Sequence, residues 1–106
     1  MTSASPILAA VLQADRVIHE PVRLCVLTLL ASVESADFVY LQRMMALTGG
    51  NLSTHIGKLS EAGLIEVEKG YAENRPRTTL SLTDSGREAL QAHAKALVAL
   101  VGPLAK

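Results

Sequence analysis

The chain has 106 residues, of which 49% are hydrophobic and 19% charged, so a folded domain is expected and a disordered tail is excluded. The 10 basic and 10 acidic residues leave a formal net charge of zero, which excludes a uniformly basic surface but not a basic patch. The single cysteine, Cys25, excludes an intramolecular disulfide framework, and the N-terminus shows neither a signal-sequence nor a membrane-span pattern, so we expect a cytoplasmic protein.

The first well-marked helix starts at Pro21, which suits the first turn of a helix, and is predicted to run to about Ser32. Apolar residues occupy nearly every side of this segment, so we expect it to be buried all round. Cys25 lies within this helix and is expected to be a small core residue. The alternative is that its thiol acts as a redox switch.

The next segment predicts two helices joined by a tight turn. After a loop at 34–36, Asp37 is expected to cap a helix over about 38–47. Thr48-Gly49-Gly50 is expected to stop that helix, because glycine tolerates the left-handed conformation found at helix ends. Asn51 or Gly50 then caps a second helix that reaches about Ala62.

After Gly63 the spacing of hydrophobic residues changes from a helical period to an alternating one. Residues 64–68 and 78–82 alternate and predict two strands of a hairpin, joined by the polar, turn-like segment 69–76. Thr83 is expected to cap a last helix over about 84–101.

Together with a short helix expected after Pro6, the order is helix, helix, helix-turn-helix, hairpin, helix, which is typical of a winged helix-turn-helix. The predicted fold class is therefore mainly α with a small β-hairpin (α+β). We expect one domain over 1–106, with the core and wing in 15–83 and dimerisation helices at 6–14 and 84–104.

Candidate DNA-contacting residues lie on the second helix of the motif and on the hairpin. Leu52, Ile56 and Leu59 share one face of that helix and are expected to pack on the core, which turns a small polar face outward. The expected DNA contacts are Asn51, Ser53, Thr54, His55 and Lys58 on the helix, and Lys69, Tyr71, Arg75, Arg77 and Thr78 on the wing. Basic and acidic residues are equal in number over 51–79. DNA binding therefore requires that the basic residues lie on one face and the acidic residues on another.

These segments resemble the small, effector-domain-free members of the bacterial winged helix regulators related to the MarR and ArsR families. The similarity covers about 15–100 and is carried by residues 50–65, 69–71, 75–79 and 82–86. It implies DNA binding through the second helix of the motif and the wing, as a homodimer on a palindromic operator.

A seam of apolar residues along the last helix predicts the dimer contact. Leu90, Ala94, Leu97 and Val101 follow a heptad spacing, and Leu104 continues it. The helix expected at 6–14 would add Leu8 and Leu12 to the same interface. The alternative is that this seam packs on the chain's own core.

The resulting hypothesis is a homodimeric, sequence-specific double-stranded DNA-binding regulator, acting as a repressor in the cytoplasm at the nucleoid. One alternative is a winged helix used as a protein-interaction module, and another is a ligand or redox sensor with a pocket at the dimer interface. No enzymatic motif, membrane association or cofactor is expected, and no metal site, because His19, His55 and His93 lie in different elements.

Overall fold

The computed structural model of the chain describes residues 16–105, together with Pro6 and Ala9. Leu8 and Leu12 therefore lie outside the described residues. The elements are, in chain order, α1 (Pro21–Leu30), β1 (Ala36–Asp37), α2 (Phe38–Met45), α3 (Gly49–Glu61), β2 (Ile65–Ala72), β3 (Arg75–Leu82), α4 (Asp84–Val101) and a 3-10 helix (Gly102–Ala105). The winged helix arrangement of mainly α class predicted from the sequence is confirmed.

Helix α1 starts at Pro21 as predicted but is not buried all round. Val26, Leu27 and Leu30 are fully buried, whereas Cys25 is exposed, so the expectation of a core cysteine was wrong. The described elements cover one side of α1 and leave the side that carries Cys25 exposed.

The turn between α2 and α3 differs in detail from the prediction. Asp37 caps α2 as expected, through a hydrogen bond from the Tyr40 amide. However, α2 ends with Ala46 in the left-handed conformation (φ 53°), and Thr48 caps α3 by accepting a hydrogen bond from the Asn51 amide at 3.0 Å. The two glycines therefore form the first turn of α3 and do not stop α2. The N-cap of α3 is Thr48, and not Asn51 or Gly50 as predicted, because the Thr48 hydroxyl bonds to an amide of the first turn.

The three strands form an antiparallel sheet in the order β1-β3-β2. The short strand β1, which pairs Asp37 with Thr79, was missed because two residues are too few to show a period. β2 and β3 also extend through the segment expected to be a loop, up to a two-residue turn at Glu73 (φ 52°) and Asn74 (φ 65°). Positive φ at both positions is typical of a type I′ turn, whose twist matches that of the hairpin.

The core lies between the helices and the inner face of this sheet. Eleven buried hydrophobic side chains form one cluster: Ile18, Val26, Leu27, Leu30, Leu41, Leu52, Ile56, Leu59, Leu64, Ile65 and Leu80. Every element from α1 to β3 except β1 contributes at least one of them, so the helix-turn-helix and the base of the wing are fixed to a single core.

The junction between β3 and α4 is closely packed. Thr83 caps α4 through a hydrogen bond from the Gly86 amide, as predicted. A Cβ at Gly86 would collide with the Leu64 carbonyl oxygen and would lie 2.8 Å from Leu82 Cδ1. Glycine is therefore required there by close approach of α4 to the chain that enters β2.

Further along α4, His93 packs against the turn that precedes α1. Its side chain is buried, and its Nε2 lies 3.2 Å from His19 Nδ1 with the two rings edge to face. Its Nδ1 has no hydrogen-bond partner among the described residues. Burial, together with the nearby His19, lowers the pKa of His93, so this packing favours the neutral ring.

Candidate nucleic-acid interface

Helix α3 is held to the core on one face and presents polar groups on the other. Leu52 and Leu59 are fully buried and Ile56 is 5% exposed, which fixes the rotation of the helix about its axis. Four of its predicted DNA contacts lie on the exposed side: Asn51, Ser53, Thr54 and Lys58. The Thr54 hydroxyl donates to the Gly50 carbonyl at 3.1 Å, so its oxygen remains available as an acceptor.

The fifth predicted residue of this helix, His55, lies on the flank of α3 that faces α1. Its side chain is only 17% exposed, and its Nδ1 lies 3.2 Å from Arg23 Nη1 and 3.4 Å from Glu20 Oε2. The structure therefore places His55 in a packing contact between two helices and away from the open face. Sequence reasoning missed this contact because Arg23 and His55 are 32 positions apart.

Two partners compete for the same nitrogen of His55. An arginine can only donate, so the contact with Arg23 needs an unprotonated Nδ1, whereas the contact with Glu20 needs a protonated one. Which of the two contacts forms depends on whether Nδ1 carries a hydrogen, and either contact holds α3 against α1.

Glu20 links this contact to the start of α1. Its carboxylate accepts hydrogen bonds from the Val22 amide at 2.8 Å and the Arg23 amide at 3.2 Å, so it is the N-cap of α1. Burial raises the pKa of Glu20, but these two hydrogen bonds and the positive charges of His55 and Arg23 outweigh burial and leave the pKa below its usual range. The ionised carboxylate thus stabilises both the helix and the α1–α3 contact.

The wing residues divide between the two faces of the hairpin. Cross-strand partners share a face, so Lys69 with Thr78, and Tyr71 with Pro76, continue the face that covers the core. Arg77, opposite Gly70, and Arg75, opposite Ala72, lie on the other face. The sequence grouped all these residues together, because it could not show that the strands continue beyond residue 69.

Charges also separate along the hairpin. On the outer face Glu66 and Glu68 lie near the base and Arg75 and Arg77 near the tip. Arg77 Nε donates to Asp37 Oδ1 at 3.2 Å, which ties it to the N-cap of α2, whereas Arg75 has no ion pair among the described residues. The balanced charge count thus conceals a tip at which Arg75 and Arg77 outnumber Glu73 of the turn.

The predicted dimer seam on α4 is partly open in the single chain. Leu90 and Leu97 are half-buried, whereas Ala94, Val101 and Leu104 are exposed. Val98, beside the seam, has 66% of its surface exposed, and Leu104 has 83%. Beyond residue 93, α4 therefore carries apolar side chains that the described part of the chain leaves uncovered.

Comparison with known proteins places this geometry in a family. The winged helix DNA-binding domain family matches residues 22–101. The chain belongs to that family. The relation to MarR-type and ArsR-type winged helix proteins predicted from the sequence is confirmed.

Individual relatives extend the family beyond bacteria. An uncharacterized protein of Methanocaldococcus jannaschii is 36% identical over 76 residues, which cover 72% of this chain and 83% of that protein. A transcriptional regulator homologue from Pyrococcus horikoshii OT3 superimposes with a TM-score of 0.84 at 33% identity, over 92% of this chain and 96% of that one. The YusO protein of Bacillus subtilis has a TM-score of 0.75 at 20% identity, over 92% and 70% of the two chains, and shows the shared fold alone. The bacterial label expected from the sequence is therefore too narrow for these relatives.

Neither a metal site nor a membrane-spanning helix occurs in the part of the chain that the structure describes. Among residues 16–105, no group of histidine, cysteine and acidic side chains is placed to hold a metal ion. None of the helices in this described part is long and apolar enough to cross a bilayer.

Proposed function

We propose that this winged helix protein binds double-stranded DNA sequence-specifically as a homodimer and represses transcription by occupying promoter DNA. The observation that carries the proposal is the exposed polar face of α3, fixed in position by Leu52, Ile56 and Leu59 beneath it. A recognition helix must present its side chains in a constant orientation, and the three buried side chains hold α3 in that orientation.

Entry of α3 into the major groove is favoured by its small side chains. Asn51, Ser53 and Thr54 offer amide and hydroxyl groups to base edges or phosphates, and Gly57 leaves room for close approach. Lys58 adds a phosphate contact at the edge of the same face. His55 is assigned the supporting role between α1 and α3 and is no longer proposed as a direct DNA contact.

The wing supplies the second contact. Arg75 and Arg77 near the tip of the outer face can bind phosphates or enter the minor groove. Lys69, Tyr71 and Thr78 lie on the opposite face, so both sides of the hairpin offer polar groups to a groove or its edge. Because Glu66 and Glu68 lie at the base, the tip can approach DNA without bringing them close to the phosphates.

A second copy of the chain is the proposed cover for the apolar C-terminal part of α4. Val98, Val101 and Leu104 are 48–83% exposed, and covering them with an identical helix removes that surface from water. A twofold dimer would present two α3 helices to half-sites about 34 Å apart, one turn of DNA, which is why a palindromic operator is proposed.

Repression by this domain requires only that it occupy promoter DNA. A dimer seated on a promoter excludes other proteins from the same grooves. The proposal places the protein in the cytoplasm, at the nucleoid, and gives it no catalytic step.

Selection from a random-sequence duplex library tests DNA binding directly. The wild-type protein should enrich a palindromic sequence, and fluorescence anisotropy should show tighter binding to that duplex than to a scrambled one of equal length. Joint Arg75→Ala and Arg77→Ala substitution should weaken binding about tenfold or more at low salt and reduce the salt dependence, since two phosphate contacts are lost.

Lys95→Ala, which removes a cation from the exposed side of α4, is the matched control and should bind as the wild type does. If the wild-type protein enriches no duplex even at low salt, the proposal is wrong and a protein-interaction module becomes the better reading. Equal loss in the control and in the wing variant would also contradict it, because the effect would then be one of overall charge.

Sedimentation equilibrium tests the dimer. Val101→Asp should shift the protein towards monomer and weaken operator binding, because a carboxylate would be buried in the interface. Ala92→Asp, on an exposed part of α4 outside the heptad seam, is the matched substitution and should remain dimeric. A wild-type protein that sediments as a monomer at all accessible concentrations contradicts the homodimer.

A further inference from the structure

A groove beside α3 has not yet been given a role, although Arg23 and Lys58 form part of its walls. It lies between the turn that precedes α1 and the C-terminal half of α3, and has a volume of about 430 Å³. Its walls are formed by Arg16, Val17, Arg23, Lys58, Glu61 and Ala62. Three of these six side chains are cations, although they come from three different segments of the chain.

Arg23 is held rigidly at the back of this groove. Its Nε donates to the Val17 carbonyl at 2.6 Å, its Nη2 to the Arg16 carbonyl at 3.3 Å, and its Nη1 lies 3.2 Å from His55 Nδ1. A guanidinium has five N–H donors, so these three contacts leave two without a partner among the described residues. A planar fork fixed in this way loses little entropy when it binds an oxyanion.

The positive charge of the groove is only partly balanced. Neither Arg16, Arg23 nor Lys58 forms an ion pair with a carboxylate of the described residues. Glu20 offsets part of the Arg23 charge, since Arg23 helps to lower the pKa of Glu20, but the Glu20 carboxylate is hydrogen-bonded to the α1 amides and lies beside His55. Glu61 is the one acidic residue of the walls. An anion therefore completes this arrangement better than a cation or an apolar group.

The groove adjoins the face of α3 that is proposed to read DNA. Lys58 belongs to both, so the two surfaces are continuous. A helix about 10–12 Å across nearly fills a major groove about 12 Å wide, so a phosphate backbone runs along each flank of it. The cationic groove lies on one of those flanks.

We propose that this groove seats a backbone phosphate of the same duplex that α3 reads, with the Arg23 fork as its fixed donor and Arg16 and Lys58 alongside. The inference rests on the proposed function and deepens it. Phosphate contacts of this kind fix the register of a reading helix without reading sequence themselves. A phosphate bound in this groove would position α3 on the side that faces α1, and the wing would position it on the opposite side.

Arg16 is the residue to change, because its side chain makes no hydrogen bond or ion pair with the described residues and only its backbone carbonyl supports Arg23. Arg16→Ala should weaken binding about fivefold at low salt and reduce the slope of log K against log salt by about 0.9, the value for one lost phosphate contact. The loss should be equal for the selected duplex and for a scrambled duplex of the same length. Arg16→Lys should retain the slope, and Lys95→Ala should match the wild type.

Four results would overturn the inference. An unchanged affinity and slope in Arg16→Ala, with the wild type binding its selected duplex, removes the phosphate seat and leaves the proposed function intact. A loss confined to the selected duplex indicates a base contact. An unchanged slope together with stabilisation of the DNA-free wild type, but not Arg16→Ala, by inorganic phosphate indicates a small-anion site. A wild-type protein that binds no duplex removes both proposals.

Discussion

The two arms of the proposed DNA surface, α3 and the wing, are built in different ways. Helix α3 lies on the core through Leu52 and Leu59, both fully buried, and is held at its flank by the contact of His55 with α1. The wing beyond Lys69 has nearly all its side chains exposed and is stabilised mainly by backbone pairing and by the turn at its tip. The position of α3 is thus set by packing, whereas the wing can change its charges without disturbing the core.

Loss of an anchor beneath α3 should have the largest effect on stability. Leu59 is fully buried, so Leu59→Ala is expected to reduce the free energy of unfolding by about 2–5 kcal/mol, through lost burial and the cavity left behind. Urea denaturation followed by circular dichroism measures it, at one fixed protomer concentration because dimerisation would add to the apparent stability.

The exposed side of the same helix provides the control. Thr54→Ala should change the free energy of unfolding by no more than about 0.5 kcal/mol, because Thr54 is exposed and bonds only to its own helix. Similar losses for the two variants would contradict the view that the buried face of α3, and not its exposed face, fixes the position of the helix.

Loss of the ionised group at the flank of α3 should have a smaller, pH-dependent effect. Glu20→Gln removes the charge that caps α1 and faces His55, and should cost about 1 kcal/mol at neutral pH. Because the pKa of Glu20 is lowered in the folded state, its contribution is present above the ordinary glutamate range and is lost as the pH falls through the lowered value.

The two proteins should therefore differ in stability near pH 7 and converge in acid. Denaturation curves at several pH values between about 3 and 7 measure the difference, bracketing the pKa of an ordinary glutamate near 4.3. A difference that persists unchanged at the acid end would show that the glutamate acts by shape and not by charge.

The features that the sequence predicted correctly are buried faces and local capping contacts. The anchored face of α3 was correctly identified, because Leu52, Ile56 and Leu59 repeat at a helical period that burial enforces. Asp37 and Thr83 were identified as caps because their side chains act on amides a few positions away. Local patterns of this kind are visible in one sequence.

Contacts that depend on distant positions were not predictable. The placement of His55 against Arg23 joins residues 32 positions apart, and nothing in the spacing of either residue indicates it. The exposed side of α1, with Cys25, was taken for core because a single sequence shows hydrophobicity but not how many neighbours are available to cover it. The wing was predicted too short because a strand that is exposed on both faces shows no alternation.

The turn of the wing offers the smallest and most selective test. A type I′ turn favours asparagine or glycine at both central positions, and Glu73 occupies the first of them with φ 52°. Glu73→Asn should therefore raise the free energy of unfolding by about 0.5 kcal/mol, since asparagine tolerates the left-handed conformation better. It should also strengthen DNA binding at low salt, because a negative charge leaves the tip that carries Arg75.

Glu73→Gln separates these two effects, because it removes the same charge without improving the turn. Its DNA affinity should rise as much as that of Glu73→Asn, whereas its free energy of unfolding should stay close to that of the wild type. Anisotropy titrations over a salt series and urea denaturation measure the two quantities independently. If both variants bind DNA as tightly as the wild type does, the wing tip lies too far from the phosphates to interact with them. DNA binding would then depend on α3 and the groove beside it.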